Sequence, residues 1–144
     1  MSSTLQPVLY HVHDPMCSWC WGYRKSWDSL RKALPEQVQV VNVLGGLAAD
    51  SDQPMPLTQR ETIAGYWRDV SKATGAEFNF DFWTQCTPRR STYPACRAVL
   101  AAQRQSAEQE MIDAIQDRKS VVEGQRVRSC GAGCVKEEHK LKRI

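Results

Sequence analysis

Long apolar runs are missing from this sequence. No stretch approaches the roughly 18 apolar residues needed to span a bilayer. The first residues, MSSTLQP, lack the apolar segment of a secretory signal. No membrane partner is expected, and the expected compartment is the cytoplasm. A strong charge of one sign is missing too. The 19 Lys+Arg stand against 16 Asp+Glu, a net of +3, too small a surplus to argue for nucleic acid. Internal repeats and low-complexity runs are also absent. Residues 117–144 contain no aromatic residue and no proline, although the chain has 5 Trp, 4 Tyr, 3 Phe and 7 Pro. That last stretch holds 8 Lys+Arg against 4 Asp+Glu, and it has little with which to build a core. The composition elsewhere is globular, with 42% hydrophobic residues, and the length suits one domain with an insertion.

Six cysteines are present. In a reducing cytosol they are not expected to form a structural disulfide framework, so redox or metal chemistry is the better question. The pattern around the first two is informative. Pro7 to Val12 reads as a strand. Asp14 and Pro15 turn the chain. Cys17 to Leu34 reads as a helix, with Trp27, Leu30 and Leu34 on one face, and Pro35 ends it. Val38 to Leu44 is nearly continuous in apolar residues, as in a parallel strand covered on both faces. Strand, helix and strand within this span make a right-handed βαβ unit. Thr58-Gln-Arg-Glu61 fits a capping box opening a second helix, with Ile63, Tyr66, Trp67 and Val70 on one face and an end near Gly75. Phe78, Phe80 and Phe82 alternate, as in a strand or an extended loop that pins rings into a core. Ser91 or Thr92 caps a further helix, with Pro94 in its first turn, running through Cys96, Val99, Leu100, Met111 and Ile115.

Cys17-Ser-Trp-Cys20 therefore falls after a strand and at a helix N-terminus. Backbone N–H groups and the helix dipole favour an anion there. The thiolate is the reactive form of cysteine, and such placement lowers a thiol pKa from about 8.5 to roughly 3.5–7.5. Cys20 lies one turn on, on the same face. The implied exchange has Cys17 as nucleophile and Cys20 as resolving thiol. His13, just upstream, is a candidate for electrostatic tuning of the thiol, with Pro15 in the turn as a second tuning position. Trp19, between the cysteines, and Trp21 are candidates for an apolar substrate rim. Three plainer readings stand beside this one. Both cysteines could be inert core residues. They could form half of a zinc site with Cys130, Cys134 and His139, although that spacing is loose. His11 and His13 share a strand face and could chelate, although such histidines are more often ordinary surface or core residues. Cys86 and Cys96 are expected to be reduced, with Cys96 buried. Arg89-Arg90 is expected to be a solvated turn, or at most a cationic edge for a substrate. No cofactor and no resident metal is expected.

DPMCSWCWGY after a strand, followed later by STYPACRAVLAAQRQ, resembles the DsbA-like thioredoxin-fold family, in particular its cytoplasmic FrnE-like branch. The resemblance covers about residues 5–116. It implies an α/β fold of the thioredoxin type, with a helical domain inserted after the second strand. It also implies thiol–disulfide oxidoreductase activity through Cys17 and Cys20, with protein or small-molecule thiols and disulfides as partners. Glutathione-dependent isomerases and transferases of the same fold are the alternative, but they generally carry serine where Cys17 stands; a zinc-binding or interaction module is the other. The expected organisation is a thioredoxin-like βαβ segment over 1–50, a partial helical insertion over 51–116, and a basic tail over 117–144. No proline follows Pro94, and no strand pattern follows Gln116. The family's cis-proline loop and closing strands are therefore expected to be missing. Asp117 to Gly124 reads like translated sequencing-adapter DNA, so the tail is expected to be non-native; a basic tail docking on an acidic partner is the alternative.

Overall fold

The computed structural model describes residues 6–117. Its elements run β1 (Val8–His13), α1 (Ser18–Ala33), β2 (Gln39–Leu44), α2 (Leu57–Thr74), a short α3 (Phe82–Gln85), α4 (Tyr93–Gln103) and α5 (Glu108–Asp117). The two strands are parallel, with Val8 opposite Gln39 and His13 opposite Leu44. This is the expected βαβ start, and α1 is its crossover. Pro35 lies just beyond the C-terminus of α1, where its ring blocks another turn.

Among the described residues the sheet is not covered on both faces. Val8, Tyr10 and Val12 alternate outward and are exposed, as is Val43. The inward row of β1 is Leu9, His11 and His13, which lies against α1 through Trp27. The apolar run of β2 thus reflects strand propensity more than burial.

The helices differ from their sequence reading in three ways. The capping box at Thr58 does not form. The helix already begins at Leu57, with Pro56 at its N-cap and no side-chain cap. Thr58 is therefore inside the first turn, where its carbonyl accepts the Thr62 hydroxyl. The inner face of α2 is Ala64, Trp67 and Val70, and Tyr66 is exposed. The third helix is two helices. The chain breaks after Gln103, and Ser106 takes a positive φ of 57°. The second of the two buries Ile112, while Met111 and Ile115 are only half-buried. The end of α2 is as expected: Gly75 adopts φ 71° and its N–H caps Ser71 O at 2.8 Å.

Two contacts from α1 reach α2 and the segment that follows it. Gly22 of α1 faces α2 so closely that a Cβ there would lie 2.6 Å from Val70 Cγ1. The indole N–H of Trp21 donates to Glu77 O at 3.1 Å. The phenylalanines form no strand. Phe78, Phe80 and Phe82 gather with Trp83 around Trp67, at centroid distances of 4.9, 6.0, 5.5 and 4.8 Å. At the other end of the chain, Arg24 reaches Asp113 at 3.1 Å and Asp117 at 2.6 Å, joining α5 to α1. Apart from Asp117, the basic tail, with Cys130, Cys134 and His139, lies outside the described residues.

Candidate active site

The strand-to-helix turn at 14–17 is built from local hydrogen bonds. Cys17 N donates to Asp14 O at 3.0 Å. Met16 N donates to Asp14 Oδ1 at 2.7 Å, an Asx-turn pattern. Pro15 is fully buried and supplies the fixed φ that the turn uses. Cys17 is the N-cap of α1, with φ −71° and ψ 129°, and no side-chain cap is present. Its carbonyl accepts Trp21 N at 3.1 Å, so the helix begins immediately after it. Cys17 thus stands at the positive end of a 16-residue helix, whose first-turn N–H groups have no partner within the helix. Cys17 and Cys20 are both thiols, and both are half-buried.

Cys20 lines a small cleft of about 20 Å³ with His11, His13, Trp27, Asn42 and Ile112 among its walls. That volume is about one water molecule. His11 stacks on Trp27 at 3.7 Å and on His13 at 4.6 Å. Its Nδ1 shares a hydrogen with Asn42 Oδ1 at 3.0 Å. His13 is 4% exposed, and neither ring nitrogen has a hydrogen-bond partner. Burial, reinforced by His11 and opposed by Asp14, lowers its pKa from 6.5 to about 4. At neutral pH the ring is uncharged. It then contributes a dipole and shape to the site, with no positive charge.

A stability consequence follows with a definite sign. The unfolded chain takes up the His13 proton near pH 6.5 and the folded chain near 4, so stability falls as pH drops across that window. Urea midpoints from pH 7.5 to 3.5 check this. The loss across the window should be smaller in His13→Leu than in the wild type. Parallel curves would mean that His13 does not titrate differently on folding.

The other candidate residues are spread around the cysteines. Trp19 is 52% exposed beside the pair, with Met16 also exposed. Trp21 is half-buried; its indole bonds to Glu77 and its ring carries the Arg24 guanidinium 5.4 Å away. Arg89 is at the surface and pairs with Asp52 at 3.2 Å. Cys96 is a buried thiol, as expected, but Cys86 is disulfide-bonded rather than reduced. Among the described residues no cluster of three or more His, Cys, Asp or Glu could hold a metal ion. Nor is any helix of those residues long and apolar enough to cross a membrane.

The sequence reading missed the part played by Asp14. Its carboxylate is 2% exposed and accepts three donors. Besides Met16 N these are Leu47 N at 2.9 Å and Cys96 Sγ at 3.7 Å. The bond to Met16 is legible from an Asp two residues upstream. The other two donors lie 33 and 82 residues away and leave no local signal.

No protein-family model and no curated protein matches the sequence. Solved structures do. A protein assigned as a protein disulfide isomerase from Nitrosomonas europaea superposes with a TM-score of 0.72 at 27% identity, over 96% of this chain and 66% of that one. The cytosolic disulfide reductase DsbM from Pseudomonas aeruginosa gives 0.69 at 23% identity, over 94% of this chain and 65% of that one. The same reductase solved with GSH gives 0.68 at 22% identity, with the same coverage of 94% and 65%. The chain thus spans just under two thirds of the length of these structures. The fold is of the DsbA-like thioredoxin type, and the chain is similar to solved disulfide oxidoreductases over most of its length.

Proposed function

We propose that this chain is the CxxC-bearing part of a thiol–disulfide oxidoreductase, with residues 1–50 supplying the redox pair and 51–116 the helical insertion. The observation that carries the reading is the position of Cys17 at the N-cap of α1, with Cys20 one turn on. The Cys17 thiolate attacks one sulfur of a substrate disulfide. A Cys17–substrate disulfide forms, and the other substrate sulfur leaves as a thiolate. Cys20, having given up its proton, then attacks the Cys17 sulfur. The substrate's remaining sulfur leaves, and a Cys17–Cys20 disulfide is left. Two electrons pass to the substrate, and its two thiolates take up protons. A low-molecular-weight thiol such as glutathione reverses the sequence and restores the pair. Exposed Trp19 and Met16 give an apolar rim for the incoming disulfide, and half-buried Trp21 backs it. His13 and Pro15 shape the turn that presents Cys17.

The GSH-bound reductase among the similar structures supports glutathione as the thiol partner, and that reductase is cytosolic, which supports a cytoplasmic setting. A serine-type glutathione transferase is disfavoured by the cysteine at 17.

The test is competitive alkylation of the reduced protein with limiting iodoacetamide, with each thiol followed by peptide mass spectrometry. Cys17 should react first near neutral pH, well ahead of Cys20 and Cys96. Its rate should follow a thiol pKa within the roughly 3.5–7.5 range of helix-terminal cysteines. Equal rates among the thiols would remove the basis of the proposal.

A further inference from the structure

We infer that Asp14 is the positioning residue that sets the redox balance of the Cys17–Cys20 pair, holding it toward the reducing side. The inference rests on the oxidoreductase reading and adds a determinant of its direction. The geometry is that of a buried, wholly accepting carboxylate. Asp14 is 2% exposed. All three of its partners donate: Met16 N at 2.7 Å, Leu47 N at 2.9 Å and Cys96 Sγ at 3.7 Å. A carboxylate that only accepts is suited by its ionised form. No ion pair among the described residues includes it. The charge is therefore held by hydrogen-bond donors, with no cation of the described residues paired to it. One of those donors is the N–H of Met16, the residue directly before Cys17.

Two consequences follow. The carboxylate joins three segments: the active turn, the loop after β2 at Leu47, and α4 at Cys96. Two of the three, the loop and the start of α4, are bound a second time by Ala48 N donating to Thr92 Oγ1 at 3.0 Å, so Asp14 is not the only tie between them. The second consequence is electrostatic. A nearby negative charge disfavours a thiolate at Cys17 and offsets part of what the helix N-terminus gives it. Redox pairs become strong oxidants when their reduced form is stabilised. A carboxylate in the same turn as the nucleophile works the other way. It destabilises the reduced thiolate and makes the pair a better electron donor. Cys96 moderates the effect, because its S–H takes up part of the charge. Burial and the Asp14 carboxylate in turn keep that thiol protonated, pushing its pKa up.

The test uses the full chain, equilibrated with defined ratios of reduced and oxidised glutathione. In each cycle one protein dithiol gives two electrons and two protons to one glutathione disulfide, yielding two glutathione thiols and the Cys17–Cys20 disulfide. Asp14→Asn keeps the side-chain shape and removes the charge. Its expected effect is a fall of about one unit in the Cys17 pKa and an equilibrium shifted about tenfold toward the dithiol. Loss of thermal stability with the pKa and the equilibrium unchanged would overturn the inference. Cys96→Ala covers the case in which the Asn variant does not fold. It removes one donor and leaves the charge, so the shift should be severalfold and opposite in sign. No shift there overturns the inference as well. Wild-type exchange is measured first and separates the two claims. Its absence removes the proposed function, whereas wild-type exchange with unshifted variants overturns the role of Asp14 alone.

Discussion

Cys17→Ser should reduce disulfide exchange to the uncatalysed background. The helix N-terminus and the turn that presents residue 17 remain in this variant, because the backbone bonds from Cys17 N to Asp14 O and from Trp21 N to Cys17 O do not involve the sulfur. Serine is also a good N-cap, so α1 should be no less stable, and the change isolates chemistry from folding. What is lost is the only atom at that place able to form a mixed disulfide. A serine hydroxyl stays protonated at neutral pH, whereas a cysteine at a helix N-terminus is largely thiolate. The measurement is glutathione-dependent reduction of a small aromatic disulfide, followed by the released thiolate. Retained turnover in a variant with an unchanged melting temperature would mean that another thiol does the work.

The largest stability effect should come from Trp67→Ala, with an expected loss of about 3–5 kcal/mol. Trp67 is 7% exposed, and four aromatic rings lie within 6.0 Å of its centroid. Deleting the indole removes its own burial and also leaves Phe78, Phe80, Phe82 and Trp83 facing a void. Small domains hold only about 5–15 kcal/mol in total, so this one change consumes a large share. Trp67→Phe should lose less, since the ring contacts are partly kept. Urea unfolding followed by circular dichroism reads both. A loss below about 1 kcal/mol for Trp67→Ala would mean that the aromatic cluster is not the centre of the core around α2.

How far the sequence reaches depends on the range of the interaction. The turn, the helix start at 18 and the αL glycine at 75 are set by residues within a few positions of one another, and each is legible. The break between α4 and α5 is not. Ser106 takes the positive φ, with no glycine or proline to mark it, and the apolar spacing runs on through the bend. The capping box at Thr58 fails for a related reason: the helix starts two residues earlier, with Pro56 as its N-cap. The alternation of Phe78, Phe80 and Phe82 has the period of a strand, but the rings converge on Trp67, which is eleven or more residues away. A period-two pattern reports which residues are anchored and says nothing of hydrogen bonding between strands.

The candidate site divides along the same line. The Cys17–Cys20 pair and its place at a helix N-terminus follow from ten consecutive residues. The surroundings of the pair come from elsewhere in the chain. Leu47 and Cys96 meet Asp14, and Asn42 meets His11, across separations of 31 to 82 residues. The electrostatic setting of His13 is likewise invisible locally. A histidine just upstream of a reactive cysteine suggests a cation, yet burial keeps this one neutral at pH 7.

The claim at the centre of this account is that Cys17 attacks and Cys20 resolves. The most direct measurement is to mix Cys20→Ser with oxidised glutathione and weigh the products by mass spectrometry. The account predicts one glutathione per chain, attached at Cys17, persisting because no thiol resolves it, while the wild type passes on to the internal Cys17–Cys20 disulfide. Glutathione found chiefly at Cys96, or no stable adduct in the Cys20→Ser chain, would contradict it.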